Sequence, residues 1–158
     1  MNSYLQQSYL QQWEKVCHLL KVIDAPEKED SKLYDYDLVT FFQECWHLKD
    51  WILNDPKVNQ TVKQKVKDEI HKKEACIVKY PNILICADLA NLSKHMNNKS
   101  SESGARITNR NMTFYLGKGE AISDHIITLD NGTKYHAKDV ARRAVQEWEG
   151  FMKANGLL

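Results

Sequence analysis

The chain has 158 residues, 42% of them hydrophobic and 27% charged, with 22 basic against 21 acidic side chains and a formal net charge of +1. That length supports one domain with a sizeable core and is short for two. The even balance excludes both an overall cationic grip on nucleic acid and an acidic, solvating chain, so any charge effect has to be local.

The opening stretch, MNSYLQQSYLQQWEKVC, has no cationic start leading into an apolar core and a small-residue cleavage site. No stretch of the chain reaches the length of a membrane span, so the expectation is a cytoplasmic protein with no membrane partner. From Ser3 to Ile23 the apolar positions Leu5, Tyr9, Trp13, Val16, Leu20 and Ile23 recur every three or four residues, and Ser3 with Gln6 fits a capping box. A first helix follows from that spacing. DAPEKEDSKLYDYD breaks the period with Pro26 and many charges. LVTFFQECWHLKDWILND then resumes helical spacing as an aromatic second helix that stops at Asp55-Pro56. Between Val58 and Tyr80 the residues Val62, Val66, Ile70 and Ile77 keep one face, while Lys63, Lys65, Lys67, Lys72, Lys73 and Lys79 crowd the remainder, which predicts a third helix with a basic surface. Pro81 suits a first helical turn, so ICADLANLSKHM belongs to a fourth helix, and NNKSSESG after it reads as a mobile loop.

The period then changes to two. NMTFYLG alternates Met112, Phe114 and Leu116 with Thr113 and Tyr115, and HIITLDNGTKYH sets Asn131-Gly132 between two extended runs, the signal of a type I′ hairpin. Val140, Ala141, Ala144, Trp148, Phe151 and Met152 mark a last amphipathic helix that should stop near Asn155-Gly156. Cys17, Cys45, Cys76 and Cys86 are widely spaced without a Cys-x-x-Cys. Each lies among apolar residues, where thiols serve as small core hydrophobes rather than as disulfides or zinc ligands.

At 100° per residue, Asp88, Asn91 and His95 fall within about 60° of one another beside the apolar stripe of the fourth helix. His47, Asp50 and Asn54 form a similar polar seam on the second helix, flanked by Glu44 and Trp51. If the seams meet, two imidazoles, two carboxylates, an amide and the ammonium of Lys94 come together, a set fit for acid–base chemistry on a phosphate without a metal or other cofactor. The same groups can instead satisfy one another and set the packing register of the helices, and the sequence leaves both readings open.

FFQECWHLKDWILND followed by ICADLANLSKHM resembles bacterial members of the HEPN superfamily, the helical domains of prokaryotic toxins, defence proteins and RNA-processing enzymes. The resemblance rests on the aromatic second helix with Asp50-Trp51 and on the late helix bearing Asn91, Lys94 and His95. It covers mainly residues 37 to 97, with the hairpin and last helix as additions. It implies a metal-independent ribonuclease, usually dimeric, in which an arginine shortly precedes a histidine and two such motifs meet across the dimer interface. His95 matches that histidine. The arginine is missing: Asp88, Leu89 and Ala90 stand five to seven residues before His95, and the Lys94 ammonium lacks the bidentate fork of a guanidinium.

Other chemistries fit less well. Glu44-x-x-His47 has the spacing used by di-iron bundles, but its mate, Asp68-x-x-His71, lies on the basic face, and two further inward carboxylates are wanting. The lysines from Lys57 to Lys79 suit a phosphate backbone, with Tyr34, Trp51 or Tyr80 to stack bases. They suit equally a solvated face that complements the acidic span from Asp24 to Asp55. Arg142-Arg143 carries the same two readings. LGKGE lacks phosphate-loop spacing, and no serine or cysteine nucleophile signature occurs.

The expectation is therefore a mainly α single domain over 1–158: an up-and-down four-helix bundle, HEPN-like, over about 3–97, a β-hairpin or small antiparallel sheet over about 105–136, and a C-terminal helix over about 138–155. Two functions follow. In one, RNA or a nucleotide is bound or cleaved, with His95, His47 and Asp50 as catalytic groups and Asn91, Lys94 and Asp88 holding the ligand. In the other, the chain is a non-catalytic homodimeric module that binds a protein partner in a defence or toxin–antitoxin type system.

Overall fold

The computed structural model describes residues 8–25, 31–94, 106–114, 121–129 and 131–158. The chain is mainly α-helical with a small antiparallel sheet. In order come α1 (Tyr9–Asp24), α2 (Ser31–Asn54), α3 (Gln60–Lys65), a π-helical stretch (Val66–His71), α4 (Lys73–Lys79), α5 (Pro81–Lys94), β1 (Arg106–Phe114), β2 (Ala121–Thr128), β3 (Lys134–His136) and α6 (Ala137–Ala154). One hydrophobic cluster takes side chains from every helix and, through Ile127, from the sheet.

The pentapeptide SYLQQ occurs twice in tandem, at residues 3–7 and 8–12, and the capping box forms on the second copy. Ser8 is extended, its hydroxyl accepts from the Gln11 amide, and Gln11 reaches back to the Ser8 amide. Long-range bonds anchor that start. The Asp55 carboxylate, at the end of α2, accepts from the Tyr9 amide at 3.2 Å, and the Tyr9 hydroxyl donates to the Leu157 carbonyl at 3.1 Å. The expected Ser3–Gln6 box lies outside the described residues.

Helix α2 starts at Ser31, so the charged run SKLYDYD is helical and not part of a break. Tyr34, Leu38, Phe41, Cys45, Leu48 and Ile52 are all buried; their alternating steps of four and three keep one stripe inward over the whole length. Charges on the outward positions disguise that stripe, which begins with Tyr34. The helix ends before Pro56, where the Asp55 carboxylate also accepts from the Lys57 amide at 2.9 Å.

The expected single third helix is instead broken in two. Val58, Val62, Val66 and Ile70 are buried at a constant step of four, and in an α-helix each such step drifts about 40° around the axis. The wider π turn, closed by Lys72 N–H to the Lys67 carbonyl at 3.1 Å, offsets that drift at Ile70. Lys72 is then extended, and α4 starts afresh.

Pro81 opens α5 as expected. All of its first-turn amides are accounted for: Pro81 has none, the amides of Asn82 and Ile83 donate to the Glu147 carboxylate at 2.9–3.2 Å, and Leu84 N–H donates to the Tyr80 carbonyl. A carboxylate there also meets the positive end of the helix dipole. Next to Glu147 on α6, the fully buried Trp148 donates its indole N–H to the Cys45 carbonyl of α2 at 3.1 Å.

The sheet is a three-stranded antiparallel meander in the order β1-β2-β3, with an irregularity between Ile107 and Asn109. The Asn131-Gly132 turn is real, but it is not type I′. Gly132 has φ of 85° while no described non-glycine residue has positive φ. Gly132 N–H donates to the Leu129 carbonyl, and Leu129 N–H to the Thr133 carbonyl, the pattern of a longer hairpin loop with glycine at a bulge. Helix α6 ends in a Schellman motif: Gly156 is left-handed at φ 69°, and Leu157 N–H donates back to the Met152 carbonyl at 2.9 Å.

Capping by Glu147 makes a prediction. Glu147→Ala should lower the unfolding free energy by about 2 kcal/mol, since a cap and a buried acceptor go together. Glu147→Gln, whose amide oxygen still accepts, should lose less than half of that in urea titrations followed by circular dichroism.

Candidate functional site

The predicted polar seam of α2 reaches the surface. His47 is half-buried, and Asp50 has half its side chain exposed. Asp50, Trp51 and Asn54, successive around one face of the helix, line a groove of about 260 Å³. The Asp50 carboxylate is held at 2.6 Å by the Lys49 ammonium, whose side chain is only 8% exposed and which also lies 4.6 Å from the centre of the Trp46 ring. Asn54 donates its side-chain N–H to the Asp50 carbonyl one turn back, at 2.8 Å.

The seam of α5 is placed differently. Asp88 is almost fully buried and is near enough to Cys76 for its charge to raise that thiol's pKa, behind the stronger effects of burial and of Glu147. Asn91 is half-buried, and the backbone of Lys94 ends the helix. His95 lies outside the described residues. The described lining of the groove comes from α2 alone.

Glu44, the first member of the Glu44-x-x-His47 pair, is committed elsewhere. Its carboxylate accepts from the buried Gln12 amide at 2.7 Å and pairs with Lys15 at 3.1 Å, tying α1 to α2. Burial pushes its carboxyl up, but the hydrogen bonds from Gln12 and Lys15 and the charges of Lys15 and His47 outweigh that and hold it below its ordinary value. Glu147 goes the other way, because burial raises it against the opposing bonds from Asn82 and Ile83. Among the described residues, no three His, Cys, Asp or Glu side chains gather as metal ligands would.

On the basic face of α3 to α4, two lysines pair with acids of the same segment: Lys72 meets Asp68 at 3.3 Å, and Lys79 meets Glu69. A second, more open groove of about 530 Å³ on this face is lined by Gln60, Thr61, Gln64, Lys65 and Asp68. Of its polar groups, Gln64 is engaged with Asp68 and Lys65 with Asn155. Arg142 forms a two-point ion pair with Asp24 at 2.8 and 3.0 Å, while Arg143 lies 5.8 Å from the Tyr135 ring.

Neither Cys76 nor Cys86 is set up as a nucleophile. Burial, with Glu147 and Asp88 adding to it, pushes Cys76 up to about 12, and Cys86 is raised by complete burial and by a hydrogen bond with the Cys45 thiol.

Sequence reasoning missed one polar cluster. His125 on β2 is buried and in hydrogen-bonding contact with the Asp35 carboxylate near the start of α2. The Tyr34 ring lies 5.1 Å from the imidazole, and the Lys138 ammonium of α6 lies 5.6 Å from the Tyr34 ring centre. The pair joins the sheet to the helices where α2, β2 and α6 converge. A signal existed: His125 and Ile127 share the inward face of β2 at period two. Its partner sat in a span read as a break.

No family model, curated protein or solved structure matches the chain. No helix among the described residues is long and apolar enough to cross a membrane.

Two predictions concern these polar pairs. His125→Ala and Asp35→Ala should each lower the unfolding free energy by about 3 kcal/mol, and the double variant should fall short of the sum by at least about 1 kcal/mol, as a double-mutant cycle in urea would read out. The second concerns pH. A carboxyl held below its ordinary pKa in the folded state adds stability that is present above the unfolded value and is lost as pH falls through the folded one. Glu44→Gln should therefore lose less of its urea midpoint than the parent protein does between about pH 6 and about pH 3.

Proposed function

We propose that this chain is a HEPN-like helical protein that binds RNA or a nucleotide and acts on it, if at all, without a metal. In this reading α1, α2, the broken α3–α4 segment and α5 form the up-and-down bundle, and the sheet with α6 is the addition. One observation carries the proposal: Asp50 and Asn54 of the predicted seam, together with Trp51 that flanks it, line a surface groove. An indole offers a face for a base, and a carboxylate and an amide offer polar contacts to its edge. His95, with His47 and Asp50, supplies acid–base groups, and Asn91, Lys94 and Asp88 hold the ligand. At 260 Å³ the groove is below the usual size of a whole-cofactor site, about 300–1,000 Å³, and suits a single ring with the remainder of the ligand outside.

A specific observation favours the second reading, a homodimeric, non-catalytic interaction module. Asp88 is buried among core side chains, where a carboxylate serves packing register better than ligand contact.

The two separate by experiment. Single-stranded RNA labelled for fluorescence anisotropy should bind in the presence of a chelator, and Trp51→Ala should weaken that binding about tenfold. Cleavage with chelator present that disappears in His95→Ala, with circular dichroism and melting unchanged, establishes the catalytic form. RNA that neither binds nor is cut leaves the interaction module, for which His95→Ala should instead lower stability or the dimer fraction in sedimentation.

A further inference from the structure

We infer that the groove beside Asp50 selects guanine over the other bases, an inference that rests on the nucleotide-binding reading above. The reason is the direction of its hydrogen bonds. The Lys49 ammonium is buried and spent on Asp50, and the Asn54 amide N–H is spent on the Asp50 carbonyl. What Asp50 itself offers toward the groove is acceptor only, the remaining lone pairs of its carboxylate, while Asn54 keeps its side-chain oxygen and a second N–H. A phosphate, itself all acceptor, finds no partner in that carboxylate.

The fixed Lys49 also neutralises Asp50, so the wall has no net charge with which to draw a cation. A neutral, flat ligand with adjacent donors fits best, stacked against the Trp51 indole that lines the same groove. Among the bases, guanine alone presents two neighbouring donors, N1–H and N2–H, which match the two oxygens of one carboxylate. Adenine and cytosine each place a ring acceptor beside their amino group, which would face the carboxylate, and uracil has a single N–H between two carbonyls. No proton or group is transferred; the selection is by binding alone. Two groups have different parts: Trp51 holds any base by its face, and Asp50 chooses among them by the edge.

The test is a series of nucleoside monophosphates titrated by calorimetry against the full chain. GMP should bind; IMP, which lacks only the N2 amino group, should bind about tenfold more weakly, one hydrogen bond to a charged acceptor being lost. AMP and UMP should bind more weakly than IMP. In Asp50→Asn the preference for GMP over AMP should collapse to about twofold, because a neutral amide can offer either a donor or an acceptor. If removing Asp50 leaves Lys49 buried without a counter-charge and unfolds the protein, the GMP and IMP comparison on the unaltered chain still decides. Equal affinities for GMP, IMP and AMP overturn the guanine assignment while leaving nucleotide binding intact. Free arginine displacing GMP at lower concentration than GMP itself requires overturns it in favour of a cation site. Failure of every monophosphate and of RNA to bind removes the nucleotide reading itself.

Discussion

The arrangement turns on two adjacent side chains of the last helix. Glu147 takes the free amides at the start of α5, and Trp148, fully buried, reaches the backbone of α2. Consecutive residues on a helix point about 100° apart, so α6 works as a wedge with one neighbour for each. The Glu147 carboxylate is more than a local cap, because the helix it closes begins with a proline and has no side-chain cap of its own in sequence. A carboxylate half removed from water would be a liability alone. Opposite an open helix end it replaces lost hydration with oriented amides. The same principle recurs where Asp55 meets the first amide of α1: in both places a carboxylate distant in sequence completes a helix start, so the helices are positioned by their ends as well as by their apolar stripes.

Much of this fold was legible where local pattern and tertiary structure agree. Pro81 marked the start of α5, Asp55-Pro56 the end of α2, and Asn155-Gly156 the end of α6, because proline and left-handed glycine act within a few residues of themselves. The misses share a cause. The start of α2 was hidden because Asp35 and Asp37 lie beside Tyr34 and Leu38, and an abundance of charge outweighed the periodicity. The π turn was hidden because a step of four looks helical until its drift is added up. The Asn-Gly hairpin was located but mistyped, since the dipeptide signals a turn and the number of loop residues decides which.

The polar seam of α2 was legible as a stripe, and Asp50, Trp51 and Asn54 do line a groove. What the stripe did not reveal was bond direction. Lys49, one residue away, stands outside the stripe; its burial beside Asp50 converts that carboxylate from a charge into an oriented acceptor. Nor could spacing announce Asp35 with His125, which are 90 residues apart in sequence. A buried pair of that kind becomes visible only once a strand and a helix share an interface.

The tandem SYLQQ has a consequence of a different kind. Both copies carry the same serine, tyrosine and glutamines, and the distant Asp55 and Leu157 engage the tyrosine of the second. Removal of one five-residue copy from the gene would leave MNSYLQQWEK, with an intact start signal directly ahead of the same helix. The duplication thus gives the beginning of the first helix a spare copy of its own signal, while the contacts that anchor it come from Asp55 and Leu157, far along the chain.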